Sequence, residues 1–173
     1  MVTITITSNT NGSCINGNPI AGGNQFDSTF PLIGASVSTV IIYGLNREGT
    51  GSYSVRAAIY NSAGTKQADS TNSVAQNSIP TSYDPASGQT FTFSPSHTMA
   101  AGDRIVAEYT TSYSSGNRIC FGLGACSAGC IGVVSTTNNG SSWSQNSSYA
   151  MPMQITAGTT NEALLLPPQV AYI

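Results

Sequence analysis

The stretch YSVRAAIYNSAG, residues 53–64, decides the fold of this chain. Its apolar side chains recur at every second position, which is the period of a β-strand and not of a helix. Asn61-Ser-Ala-Gly64 then supplies turn residues, because glycine readily adopts the positive φ that many tight turns require. We therefore predict a strand that ends in a turn, with one inner and one opposite face. The inner face would hold Tyr53, Val55, Ala57 and Ile59, and the opposite face Ser54, Arg56, Ala58 and Tyr60.

The same alternation recurs along the chain, and no segment sustains the 3.6-residue period of an amphipathic helix. Clusters of Gly, Asn and Ser separate the alternating segments, as is typical of antiparallel sheets. Short, frequent strands predict an all-β protein, a jelly-roll β-sandwich of about eight to ten antiparallel strands with an extended apolar C-terminal tail. Further strands are predicted at Val2–Thr7, Ser36–Tyr43, Phe91–Phe93, Arg104–Tyr113, Arg118–Leu123, Ile131–Ser135 and Tyr149–Thr156.

Charged residues are scarce in this chain: Lys, Arg, Asp and Glu make up 7% of it, against about 25% in a typical globular domain. The 39% of hydrophobic residues argues against disorder, which combines low hydrophobicity with high net charge. The five basic residues are scattered singly, so the chain lacks the basic patch of a nucleic-acid-binding protein. No apolar run approaches the roughly 20 residues that span a bilayer. The composition therefore predicts no nucleic-acid partner and no membrane insertion.

Three stretches carry a resemblance to a known family: SVRAAIYNSAG at 54–64, TFTFSP at 90–95 and SSWSQNSSYAMPMQIT at 141–156. They resemble a hairpin, a strand and the closing stretch of a widespread jelly-roll module of secreted, cell-surface and phage proteins. The resemblance covers residues 25–156. Members of the family are adhesion, carbohydrate-associated or structural modules. The resemblance thus implies a fold and a location rather than a particular activity.

The chain divides into three predicted parts: an N-terminal strand and loop at 1–24, the sandwich at 25–157, and a linker with an apolar tail at 158–173. A tail this apolar would favour aggregation if it stayed exposed to water. It either packs back on its own sandwich or adds as a strand to a neighbouring copy, and Pro167-Pro168 would keep it extended. The strand Val2–Thr7 could play the same part. The predicted assembly residues of the tail are Leu164, Leu165, Leu166, Val170, Tyr172 and Ile173.

The cysteines are Cys14, Cys120, Cys126 and Cys130, and their spacing matches no common zinc motif. In an extracellular β-protein two disulfides are favoured, and four cysteines allow three pairings. We favour Cys126–Cys130 closing a Gly-rich loop and Cys14–Cys120 tying down the N-terminal segment. An intermolecular disulfide, buried thiols and a metal cluster stay open as alternatives.

No credible catalytic set emerges from the ionisable side chains. His97 is the single histidine, and its setting in Ser94-Pro-Ser-His-Thr predicts an exposed position in a polar turn. Glu108 lies mid-strand on the same side as Arg104 and predicts an ion pair on the strand surface. We therefore predict no catalytic residues, no cofactor and a protein that is not an enzyme. A structural calcium ion held by loop oxygens stays open as an alternative.

Trp143 is the candidate for stacking on a glycan, with Tyr113 and Tyr149 as companions, although the resemblance also allows a core position for this Trp. N-glycosylation sequons begin at Asn11, Asn139 and Asn146, and they support a surface location for those segments.

These observations favour a non-enzymatic structural subunit. It would assemble with copies of itself into an extracellular filament or sheath, or a virion surface structure, through exchange of a terminal strand or tail. The alternative is a carbohydrate-binding or adhesion module with glycan partners. Either reading places the protein outside the cell, on a cell surface or on a virion.

Overall fold

The computed structural model describes residues 1–7, 10–15, 21–51, 53–110, 117–125, 129–136 and 140–158. Fifteen strands lie in this part of the chain, so the predicted all-β class is confirmed. None of the described residues form a helix long and apolar enough to cross a membrane. The strands are β1 (Val2–Ile6), β2 (Thr10–Ile15), β3 (Ala21–Phe26), β4 (Ser36–Tyr43), β5 (Asn46–Glu48), β6 (Ser54–Tyr60), β7 (Lys66–Asp69), β8 (Val74–Ala75), β9 (Gly88–Thr98), β10 (Arg104–Tyr109), β11 (Arg118–Ala125), β12 (Cys130–Thr136), β13 (Ser144–Asn146), β14 (Tyr149–Ala150) and β15 (Met153–Gly158).

The strands pair antiparallel in three sheets. The first sheet has the order β1-β15-β4-β9. The second has the order β13-β12-β3-β10-β6-β7, with β8 beside β6. The third has the order β14-β11-β2, with β5 beside β11. Through β1 and β2 the described part of the N-terminal segment is hydrogen-bonded into the first and third sheets.

Apolar side chains of the first and second sheets form one buried cluster, as a β-sandwich requires. The predicted inner face of β6 is confirmed, since Val55, Ala57 and Ile59 are fully buried. A jelly-roll order of connections stays a prediction. Fully buried partners from the first sheet and from β10 are Val37, Val40, Ile42, Phe91, Ile155, Ile105 and Ala107.

The opposite face of β6 is also covered. Ala58 and Tyr60 belong to a second, smaller cluster with Ala21, Val106 and Val134, and Trp143 packs against it. The second sheet therefore buries apolar groups on both faces, which alternation within β6 alone does not reveal.

Strand β3, AGGNQF, shows no alternation in sequence and yet lies near the middle of the second sheet. A Cβ atom at Gly23 would lie 2.0 Å from the carbonyl oxygen of Ile105, so the close approach of β3 to β10 requires glycine there. Strands β5, β8, β13 and β14 are only two or three residues long. The strand number therefore exceeds the predicted eight to ten, because a two-residue period cannot be recognised in such short segments.

The buried side chain of Asn24 joins β3 to the segment between β14 and β15. Its Nδ2 donates to the Met151 carbonyl at 2.7 Å, and its Oδ1 accepts from the Met151 N–H at 2.6 Å. The amide thus replaces a backbone partner for both polar groups of Met151, which would otherwise be buried and unsatisfied.

Replacing Asn24 by Ala should lower the free energy of unfolding by about 2–4 kcal/mol, because two buried backbone groups lose their partners. Urea unfolding followed by circular dichroism measures the change. Gln67→Ala removes an exposed amide and should change stability by about 0.5 kcal/mol or less. A loss below about 1 kcal/mol in Asn24→Ala would contradict the role given to these bonds.

Candidate functional site

The outer edge of β1, here called the β1 edge, is the candidate interface. Among the described strands β1 pairs only with β15, in a register that runs from Val2↔Ala157 to Ile6↔Met153. Residues 1–7 contain no charged side chain and no proline. Met1 is 87% exposed and Val2 is 40% exposed. Natural edge strands usually carry lysine, proline or a bulge that blocks pairing with another chain, and this one has none of these.

The opposite edge of the same sheet is covered along part of β9. On β9, the N–H of Thr92 donates to Asn72 Oδ1 at 2.9 Å, and the carbonyl of Thr90 accepts from Asn72 Nδ2 at 2.8 Å. The carbonyl of Thr92 also accepts from the N–H of Thr71 at 2.7 Å. The segment at Thr71 and Asn72 therefore occupies backbone groups through which another strand could pair.

The last described strand, β15, ends beside the start of β1. Strand β15 ends at Gly158, and its neighbour Ala157 is paired with Val2 at the start of β1. The tail itself, residues 159–173 with its predicted assembly residues, lies outside the described residues. A groove of 180 Å³ lies at the far end of β1 and is lined by Thr5, Ile6, Thr7, Tyr43, Pro85 and Pro152.

The predicted Cys14–Cys120 disulfide is confirmed, and it joins paired positions of β2 and β11. Cys126 lies outside the described residues, and Cys130 is half-buried on β12. Glu48 Oε1 lies 3.9 Å from Cys120 Sγ, so Cys14, Glu48 and Cys120 form a cluster. Because both sulfurs are bonded to each other, neither is available as a thiolate ligand. The absence of a cofactor stays a prediction, and a metal cluster and a structural calcium ion stay open as alternatives.

Trp143 is half-buried and packs against the smaller cluster on the outer face of the second sheet. Its ring meets the ring of Tyr60 edge-on at 5.1 Å, and the Arg104 guanidinium lies 5.0 Å from its centroid. The indole N–H donates to the Gly140 carbonyl at 3.0 Å. Burial lowers the pKa of Arg104, and neighbouring Asp103 opposes this shift. These contacts use much of the ring surface, and a glycan contact at Trp143 stays a prediction.

The surface ion pair predicted for Glu108 is wrong, because Glu108 is only 3% exposed and its partners lie on β6 and β7. Its Oε1 accepts from Arg56 at 2.7 Å and from Lys66 at 2.5 Å. Its Oε2 accepts from the Tyr60 hydroxyl at 2.6 Å. Asp69 contacts the same two cations, at 2.9 Å and 3.2 Å. The network is neutral and pairs both carboxylates, which suits a structural role better than an acid–base pair.

The prediction of an exposed turn for His97 is also wrong. His97 lies on β9 and is paired with Val37 of β4. Its Nε2 is 2.8 Å from Oδ2 of the buried Asp103, and this oxygen also accepts from the N–H of Ala100. The pair secures the corner between β9 and β10.

Of the predicted glycosylation sites, Asn146 is exposed on β13 and its Oδ1 accepts from the N–H of Ser148. The side chain of Asn11, together with Asn139 and Tyr113, lies outside the described residues.

Comparisons of the chain with models of protein families, with curated proteins and with solved structures find no match. The function is therefore inferred from the geometry of the strands and side chains.

Removing the disulfide with the double variant Cys14→Ala and Cys120→Ala should lower the free energy of unfolding by about 2–4 kcal/mol, since the bond closes a long loop in the unfolded chain. The two cysteines are 106 residues apart. Urea unfolding of oxidised wild type, reduced wild type and the double variant measures this. Equal stability of oxidised and reduced wild type would contradict the prediction.

The stability of the protein should fall as the pH rises above about 10, the ordinary pKa of tyrosine. Burial, and then the hydrogen bond to Glu108, raises the pKa of Tyr60 well above that value. The folded state therefore keeps the Tyr60 proton while the unfolded state loses it, and each further pH unit lowers stability by up to about 1.4 kcal/mol. Urea unfolding from pH 8 to pH 11 should show a shallower decline for Tyr60→Phe. Parallel declines in wild type and variant would contradict the assignment.

Proposed function

We propose that this protein is a non-enzymatic structural subunit that assembles with copies of itself through the β1 edge. The partner is the apolar C-terminal segment of a neighbouring copy, residues 159–173, added to the sheet as a further strand. The observation that carries the proposal is the contrast between the two edges of the first sheet. At Thr90 and Thr92 the β9 edge is covered by Thr71 and Asn72, whereas β1 has no described strand beside it other than β15.

Strand addition suits both partners. The backbone groups of an edge strand supply the hydrogen bonds, and alternate side chains of the incoming strand fill pockets. The tail brings apolar side chains at Leu164, Leu165, Leu166, Val170, Tyr172 and Ile173. The groove at Thr5–Thr7 offers a pocket next to the edge.

The scarcity of charge favours contact between copies. Burying a charged side chain requires an opposite charge and several hydrogen bonds, whereas a neutral side chain needs only hydrogen bonds. Four of the charged groups, Arg56, Lys66, Asp69 and Glu108, are already paired with one another on the second sheet. A first sheet with an uncharged edge can therefore meet another copy without an unpaired ion.

We place this assembly outside the cell, in a filament or sheath or on a virion surface. The Cys14–Cys120 disulfide supports an oxidising compartment, where such bonds persist.

The test places a charge on each edge of the first sheet in turn. Thr5→Lys adds a lysine to the exposed face of β1, and Thr90→Lys adds one to the exposed face of β9. Lysine on an open edge hinders pairing with another strand. Thr5→Lys should raise the concentration needed for assembly at least about tenfold, and Thr90→Lys should leave it near the wild-type value. Sedimentation and negative-stain electron microscopy of the full chain measure the assembly.

A chain that ends at Gly158 should fold with wild-type stability and stay unassembled. Added in excess, a peptide of residues 159–173 should bind this truncated chain and not the truncated chain with Thr5→Lys. Normal assembly of the truncated chain, or equal effects of Thr5→Lys and Thr90→Lys, would overturn the proposal.

A further inference from the structure

A second groove, which shares no lining residue with the groove at the β1 edge, lies between the second and third sheets. Its volume is 240 Å³, below the roughly 300–1,000 Å³ of sites for drug-sized ligands. It can therefore take one small ring rather than a long ligand. We call it the Tyr149 groove. Its lining residues are Phe121, Leu123, Val133, Val134, Ser135, Ser144, Gln145, Asn146 and Tyr149.

The groove has an apolar floor and a polar rim. Phe121 is buried, Leu123 and Val133 are half-buried at the edge of the main core, and the exposed rim carries the amides of Gln145 and Asn146. Gln145 Nε2 donates to the Ile131 carbonyl at 3.2 Å, which holds this amide in place on β13.

Tyr149 is the aromatic side chain of this rim. It is 45% exposed, and it is the only exposed large aromatic residue in the described part of the chain. Its position is set by pairing with Ala125 of β11, so the ring stands on a strand and not on a loop. An exposed ring presents an electron-rich face, which attracts weakly polarised C–H groups.

We propose that the Tyr149 groove binds one neutral pyranose ring of a saccharide. The C–H face of the sugar would stack on Tyr149, and its hydroxyl groups would exchange hydrogen bonds with the amides of Gln145 and Asn146 and the hydroxyls of Ser135 and Ser144. The described lining contains no charged side chain, which favours a neutral sugar over a uronate or a phosphate. The site shares no residue with the β1 edge. We propose Tyr149 rather than Trp143 as the residue that stacks on the sugar, because the Trp143 ring is already packed against Tyr60 and Arg104.

The test uses the full chain, made in a host without N-glycosylation so that Asn146 carries no glycan. The probes are cellotetraose, mannotetraose, galactotetraose and tetra-N-acetylchitotetraose, each at concentrations up to about 10 mM, because a single-ring contact implies a Kd near 1 mM. Saturation-transfer difference NMR observes the sugar protons and works for single subunits and assemblies alike. At least one probe should show saturation concentrated on the C–H protons of one ring.

Two pairs of variants locate the contact. Tyr149→Ala should weaken binding about tenfold or more, while Tyr149→Phe should keep most of it, because the ring face and not the hydroxyl makes the stack. Gln145→Ala should weaken binding, and Gln67→Ala is its matched control. Both glutamines are exposed, lie on the two end strands of the second sheet and donate Nε2 to a carbonyl.

The proposal is overturned if none of the probes gives a saturation difference, or if the signal survives unchanged in Tyr149→Ala. It is also overturned if Gln67→Ala weakens binding as much as Gln145→Ala does. Urea unfolding of each variant confirms that it is folded. Because Tyr149 lies on β14 of the third sheet, whereas β1 belongs to the first sheet, Tyr149→Ala should still assemble, which separates this proposal from the one on assembly.

Discussion

The two hydrogen bonds between Asn24 and Met151 hold together the point at which all three sheets meet. Asn24 belongs to β3 of the second sheet, and Met151 lies between β14 of the third sheet and β15 of the first. Buried backbone groups need partners, and no regular strand pairing supplies them at this junction. One side-chain amide does so. The bonds hold the chain where it leaves β14 and enters β15, the strand that pairs with β1.

The positions of several charged side chains follow from the burial of both faces of the second sheet. The second sheet buries apolar groups against the main core and, on its other face, against Trp143, so Glu108 is enclosed beside Tyr60. A buried carboxylate requires positive partners, and Arg56 and Lys66 provide them. With Asp69 these residues form one network on the second sheet, and the four are a third of the charged residues of the chain. The β1 edge and the lining of the Tyr149 groove are uncharged, which suits pairing between copies at the first and a neutral ligand at the second.

Much of the fold could be predicted from the sequence. The alternation at 36–43 matches β4, and that at 53–60 matches β6 within one residue. The strand predicted at Arg104–Tyr113 contains β10, which ends at Tyr109. Strand β3 could not be predicted, because Gly23 and Asn24 are there to fit neighbouring strands and not to form an alternating face. Of the candidate site residues, the apolar tail could be named from composition alone, whereas the grouping of Gln145 with Tyr149 depends on β13 and β14 lining one groove.

By itself the sequence determined the all-β class, the main strands, the shortage of charge and one of the disulfide pairings that were favoured. These features depend on residue type and on a two-residue period, which are local properties. Only the tertiary structure decided which strands lie at the ends of the described sheets, which face of β6 is covered and which partners Glu108 has. Those outcomes depend on residues far apart in sequence: Arg56 and Glu108 are 52 positions apart, and Asn24 and Met151 are 127 apart. A local pattern shows that a strand has two faces and two edges, but the packing of distant strands determines what covers them.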